Sequence, residues 1–221
     1  MLNAIEQTLE AAIGRRCSIG QVLIQKTAGD QFVLSHRDDE QSGHLEIFQD
    51  AEAAVEIARY DDAGNYRQLK TAPNLRHGWR LEVVDLGELR RALDYLYPGR
   101  LAMFAAWKKN RIVTTPLRAT LDQQSGMYRV AAKISDEQID GLVGNFCRSN
   151  GGCLRTILWK RDELGTVSTA KLPPEKFEAS HDQTGRGEPT IPLLCQEACN
   201  LLVAECRKVV KIEGAASSAP G

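Results

Sequence analysis

"SDEQIDGLVGNFCRSNGGCLRTILW", residues 135–159, decides how this chain is read. Ser135 with Gln138 three residues on is a capping signal for a helix. Ile139, Leu142, Val143 and Phe146 recur at helical spacing, so that helix delivers Cys147 at its end. Arg148-Ser149-Asn150-Gly151-Gly152 then separates Cys147 from Cys153, and "LRTILW" reads as a strand. Glycines admit left-handed conformations and close backbone approach, so the loop can bend two thiolates around one centre, with N–H groups turned to sulfur. Further on, "IPLLCQEACNLLVAECRK" (191–208) holds Cys195 and Cys199 four residues apart. A helix opened by Pro192 would place both sulfurs on one face, one turn apart. In its first turns the positive end of the helix dipole favours thiolate over thiol.

Two thiolates from a glycine-rich loop and two from a helix start make a four-thiolate site. Zinc usually takes thiols from shorter Cys-x₂₋₄-Cys knuckles. Irregularly spaced thiolates equally suit a [4Fe–4S] cube, whose larger body accepts more spread ligands. Spacing alone leaves cluster and zinc open. The plain alternative for any cysteine is a small buried hydrophobe. That reading fits Cys206 best, inside the apolar pattern Leu202, Val203, Cys206, Val209, Val210, while Cys17 beside Arg15 and Arg16 reads as structural or incidental.

Composition bounds the rest. The 221 residues are 43% apolar and 26% charged with a net charge of −1, an ordinary globular mixture. This balance suggests no general affinity for nucleic acid or anionic membrane. "MLNAIEQTLEAAIGRR" lacks the basic start and apolar core of a secretory signal, and no apolar stretch approaches the roughly 20 residues that span a bilayer. A reducing cytoplasm is the expected compartment, where six cysteines serve as ligands, reactive thiols or core residues rather than disulfides. Between Arg100 and Arg161 eleven Lys and Arg residues face four acidic ones, an excess of +7. Such an excess suits an anionic centre, a polycarboxylate ligand or an acidic partner, against a plain solvated face for the lysines. Arg148 and Arg155 flank the ligand cysteines and are the expected charge-balancing residues, with Gly151 and Gly152 supplying N–H groups.

The expected fold is α+β in three regions and a tail. Residues 1–72 form a small N-terminal α/β region with a helix ending near Ile13, strands "SIGQVLIQK" and "QFVLSHRDD" as a hairpin around "TAGD", and a short helix after Asp50. Residues 73–134 form a middle α+β region with the strand "WRLEVV" and the helix "DLGELRRALDYLYPG". Residues 135–213 form the cysteine-rich region ending in a helix, after a long exposed connection at 165–190, and 214–221 are a disordered tail. No phosphate-cradling loop, nucleophile elbow or acid–base pair stands out, so no catalytic residues are assigned. Trp79 and Trp159 read as core residues, and Trp159 could shield a cluster from water. His36, His44, His77 and His181 are scattered with no pair at a ligand spacing, and each reads as a surface or structural histidine.

"YPGR" (97–100), "GMYRVAAKISDEQIDGLVGNFCRSNGGCLRTILW" (126–159) and "IPLLCQEACNLLVAECR" (191–207) together resemble the iron–sulfur region attached to certain CbiX-type sirohydrochlorin cobaltochelatases. "GNYRQLKTAPNLRHGW" (64–79) is similar to the stabilising region that precedes it in those proteins. The resemblance implies a [4Fe–4S] cluster on Cys147, Cys153, Cys195 and Cys199. It implies a link to tetrapyrrole metallation in siroheme or cobalamin synthesis, with a CbiX-type chelatase or an anionic tetrapyrrole as partner. No segment resembles the histidine-presenting chelatase domain itself, so chelatase activity does not carry over. A zinc-stabilised interaction module without redox function is the competing reading, and an enzyme acting on a tetrapyrrole through the basic stretch is a third.

Overall fold

The computed structural model describes residues 3–27, 29–147, 152–165, 167 and 189–216, the last four without their side chains. The chain divides into two compact units, Met1–Ile112 with Phe177–Leu194 and Val113–Lys176 with Cys195–Gly221. Together they give the expected α+β class: an N-terminal α/β region with a hairpin, a mixed middle and a C-terminal region ending in a helix.

In the first unit, α1 (Ala4–Ile13) is held by a capping box in which Asn3 accepts from the Glu6 amide and the Glu6 carboxylate accepts from the Asn3 amide. It buries Leu9 and Ile13. The strands are β1 (Arg16–Ile19), β2 (Val22–Lys26), β3 (Phe32–His36), β4 (Glu46–Phe48) and β5 (Trp79–Val83), with a short β7 (Thr190–Ile191) from later in the chain. They order β4-β5-β3-β2-β1-β7, with parallel pairs only at the two ends. The hairpin at "TAGD" is β2–β3, as expected. "SIGQVLIQK" corrects the sequence reading: it is no single strand but a second hairpin, β1–β2, turning at Gly20-Gln21. Gly20 takes φ +56°, and the buried Tyr97 hydroxyl receives the Gln21 N–H at 2.9 Å, so a strand-like run reverses there.

Helix α2 (Ala53–Arg59) buries Ala54, Ile57 and Ala58, the positions the Ala-rich pattern turns inward. Helix α3 (Leu86–Leu96) buries Leu86, Leu89, Leu93 and Leu96 and ends before Pro98-Gly99. Gly99 at φ +71° starts α4 (Arg100–Lys108), a helix beyond those expected from the sequence. The 72/73 boundary falls inside this unit, because β5 pairs with both β3 and β4.

The second unit is built from α5 (Leu117–Asp122), a 3₁₀ helix (Gly126–Lys133), α6 (Asp136–Leu142), β6 (Thr156–Ile157), β8 (Leu194–Cys195, its Cys195 belonging here) and α7 (Asn200–Ala216). Its core gathers Leu117, Leu121, Ile134, Ile139, Val143, Trp159, Leu202 and Cys206. Asp136 receives Arg118 and Arg161, and Arg161 reaches on to Asp140 at 3.0 Å, so two of the basic residues brace α6 instead of facing a ligand. Those hydrogen bonds hold the Asp136 carboxyl below the usual carboxylate range, Arg118 contributing most. The 134/135 boundary lies within this unit. Residues 214–216, assigned to the tail, continue α7 as helix, and most of the expected 165–190 connection lies outside the described residues.

Candidate metal centre

Helix α6 begins as the sequence dictates: Ser135 Oγ accepts from the Gln138 amide and Gln138 Oε1 from the Ser135 amide. It ends in a single π turn, Val143–Cys147. One extra residue per turn rotates the end of the helix, a device that recurs at functional sites. Val143 thereby stays in the core while Cys147 reaches its margin at 9% exposure. The Cys153 amide donates to the Phe146 carbonyl at 3.2 Å, so the chain returns to the helix end with both cysteines beside it.

The second pair departs from the helical expectation. Pro192 does not open a helix: Cys195 lies in β8, where its carbonyl accepts from the Leu158 amide at 2.9 Å. The helix begins at Asn200, and Cys199 caps it, its carbonyl taking the Val203 amide at 3.1 Å. The Cys195 backbone is instead engaged by Leu158, 37 residues earlier in the chain. Only Cys199 therefore stands at a helix start. Burial dominates at Cys195 and pushes its thiol up, opposite to the expected dipole effect.

Around Cys195 the chemistry is specific. The Trp159 indole N–H donates to its sulfur at 3.3 Å, and the thiol turns to the Glu197 carbonyl at 3.0 Å. The Arg155 charge favours its thiolate, while Cys153 and Cys199 are close enough to oppose it. The structure thus brings Cys153, Cys195, Cys199, Arg155 and Trp159 together, with Cys147 in the same core. Gly152 is described and half-buried; Arg148 and Gly151 lie outside the described residues. No disulfide joins any of the six cysteines.

The donor set fits a soft, thiolate-bound group: four sulfurs in one unit, one indole N–H aimed at sulfur and one guanidinium within electrostatic reach. Among the described residues no three cysteine sulfurs lie within 4.8 Å of one another. A tetrahedral zinc with bonds of about 2.3 Å would hold its sulfurs roughly 3.8 Å apart.

Cys206 is fully buried among Leu202, Val203 and Leu121, and burial pushes its thiol up to about 11. Cys206→Ala is expected to leave metal content unchanged and to cost about 1 kcal/mol of stability by urea denaturation, as a small core defect. Metal loss in that variant would place the fourth ligand at 206.

Sequence reading missed one cluster. His36 and Asp39 are buried, and both meet His77. His36 is thus no surface histidine. Its signal in the sequence is only that it ends one strand while His77 precedes another, and the pairing of those strands is invisible before folding.

Fold and site define a class: an α/β sheet unit followed by a unit that gathers cysteines beside an indole N–H and a guanidinium. Comparison with known families is more particular. Residues 5–111 match the DR2241 stabilising domain, and residues 109–208 match the 4Fe-4S iron-sulfur cluster binding domain. Among solved structures the chain is similar to DR2241 from Deinococcus radiodurans, described as a multi-domain protein with structural similarity to chelatases and two additional novel domains. The TM-score is 0.72 at 27% identity, over 94% of this chain and 41% of that one. The chain thus spans less than half the length of that relative. No curated protein sequence matches it significantly. Among the described residues no helix is long and apolar enough to cross a membrane.

Proposed function

We propose that the second unit binds a [4Fe–4S] cluster through Cys147, Cys153, Cys195 and Cys199, and that the protein is an accessory to tetrapyrrole metallation in the cytoplasm. The observation that carries the cluster is the setting of Cys195, with an indole N–H on its sulfur and Cys153, Cys199 and Arg155 about it. Donors to sulfur and nearby cations stabilise an anionic cluster and raise its potential. The match over residues 109–208 supports the same assignment. When bound, such a cluster supplies one-electron redox capacity and fastens the elements that ligate it. The chain's own part is to gather four thiols, exclude water with Trp159, which is 2% exposed, and place Arg155 beside the charge. Cys195 arrives as a buried thiol, so loading the site releases its proton.

The link to tetrapyrroles rests on the similarity to DR2241, itself chelatase-like. A CbiX-type chelatase is the proposed partner, with the cluster either fixing the fold or exchanging an electron with it. Anaerobic purification followed by iron and labile-sulfide analysis, with EPR of the reduced protein, tests the cofactor. Four irons and four sulfides per chain with a reduced-cluster signal are expected for a cubane; one zinc and no colour would establish the interaction-module reading instead. Trp159→Phe keeps the ring and removes the donor, so the cluster should remain while its midpoint potential becomes more negative. An unchanged potential in protein-film voltammetry would show that this hydrogen bond does not reach the cluster.

A further inference from the structure

We propose a second metal site, in the first unit, formed by His36, Asp39 and His77 and selective for a divalent first-row ion such as zinc. The sheet creates it. β3 and β5 run antiparallel with Ser35 opposite Arg80, so the end of β3 lies beside the start of β5. His36 is the last residue of β3, Asp39 sits in the 3₁₀ turn that follows, and His77 comes two residues before β5. One nitrogen from each imidazole and one Asp39 oxygen all lie within 4.8 Å of one another. The two rings meet at a tilt of 49°, with centroids 3.8 Å apart.

Two imidazoles and a carboxylate are a donor set for zinc and its first-row neighbours, with positions left for water. His77 Nδ1 and Asp39 Oδ1 stand 3.1 Å apart. Donors about 2.1 Å from a shared ion are separated by roughly 3.0–3.4 Å, so this pair already has the spacing of neighbouring ligands. The other Asp39 oxygen accepts the Gly78 amide, which fixes the carboxylate as an outer partner would.

His36 supplies the independent sign. It is wholly buried, and its Nε2 has no hydrogen-bond partner among the described residues. A neutral imidazole carries one proton. With that proton on Nε2, Nδ1 accepts the Asp38 amide at 3.2 Å and a buried N–H is stranded. With the proton on Nδ1, the Asp38 carboxylate, 3.8 Å away, can receive it after a small turn of the ring, and Nε2 offers a lone pair. An ion bound at Nε2 requires the second tautomer, in which the Asp38 carboxylate replaces the Asp38 amide as the partner of Nδ1, the carboxylate–histidine–metal arrangement common at such sites. An open hollow of about 640 Å³, bordered by Asp61, Asp62 and Arg76, reaches His77.

The test uses the full-length, cluster-loaded protein under anaerobic conditions, titrated with zinc chloride by calorimetry, with zinc-edge absorption spectroscopy on the product. One zinc per chain with nitrogen and oxygen neighbours only is expected. His77→Ala alters a side chain that is 45% exposed, so it should fold, keep its iron and bind zinc at least about tenfold more weakly. His36→Gln should abolish binding if it folds, and His77→Ala decides the matter if it does not. No zinc uptake, zinc bound through sulfur, or equal affinity in His77→Ala would each overturn the proposal. Because iron is measured in the same samples, failure here is distinct from failure of the cluster assignment.

Discussion

Cys199→Ser protein purified without oxygen should be colourless and essentially free of iron, where the unaltered protein should be brown. Serine keeps the size of the side chain but replaces a soft thiolate with a hard, poorly acidic hydroxyl. The cap itself survives, because the bond from the Val203 amide goes to the backbone carbonyl of residue 199. Loss of iron would therefore report lost ligation and not an unravelled α7. Ligation and folding are linked, so the second unit should also become less stable. Hydrogen exchange should quicken at α6, β6 and the start of α7, with the sheet of the first unit unaffected. Full iron content together with unchanged exchange would remove Cys199 from the site.

Gly20→Ala should destabilise the first unit by about 2–4 kcal/mol, measured by urea denaturation. The backbone there has φ +56°, which by itself costs an L side chain about 1–2 kcal/mol. The added Cβ would also stand 2.6 Å from Tyr97 Oη and 2.8 Å from Cζ, with Leu193 at 3.0 Å. Tyr97 cannot swing aside cheaply: it is fully buried, and its hydroxyl holds the Gln21 amide. Burial pushes the Tyr97 phenol up to about 12, so the hydroxyl stays protonated throughout the neutral range. Gly14→Ala is the control. It has the same φ of +56° but no atom within 4 Å of a new Cβ, so only the backbone cost should appear. Equal losses in the two variants would show that the Tyr97 contact contributes nothing.

How much of this was legible beforehand depends on the range of the interactions involved. The Ser135–Gln138 capping box, the leucine stripe of α3 and the inward face of α2 follow from contacts three and four residues apart, and the sequence displays such spacings directly. The β2–β3 hairpin is equally local. The β1–β2 turn was missed because its partner, the Tyr97 hydroxyl, is 76 residues away. Cys195 and Cys199 look helical at four-residue spacing, yet Leu158 claims the Cys195 backbone from 37 residues upstream and makes it strand. The same long-range folding put Trp159 on the Cys195 sulfur, which cysteine spacing alone does not predict.

By itself, then, the sequence determined the α+β class, the helices written in short-period patterns and the two cysteine pairs with their resemblance to an iron–sulfur region. Tertiary structure alone decided where the chain divides, that Cys195 is a buried strand thiol, and that His36, Asp39 and His77 meet at one end of a sheet. The physical reason is common to all three. Helix periodicity and capping are satisfied by neighbours in the chain, whereas strand pairing and burial are satisfied by residues that only the closed fold brings near.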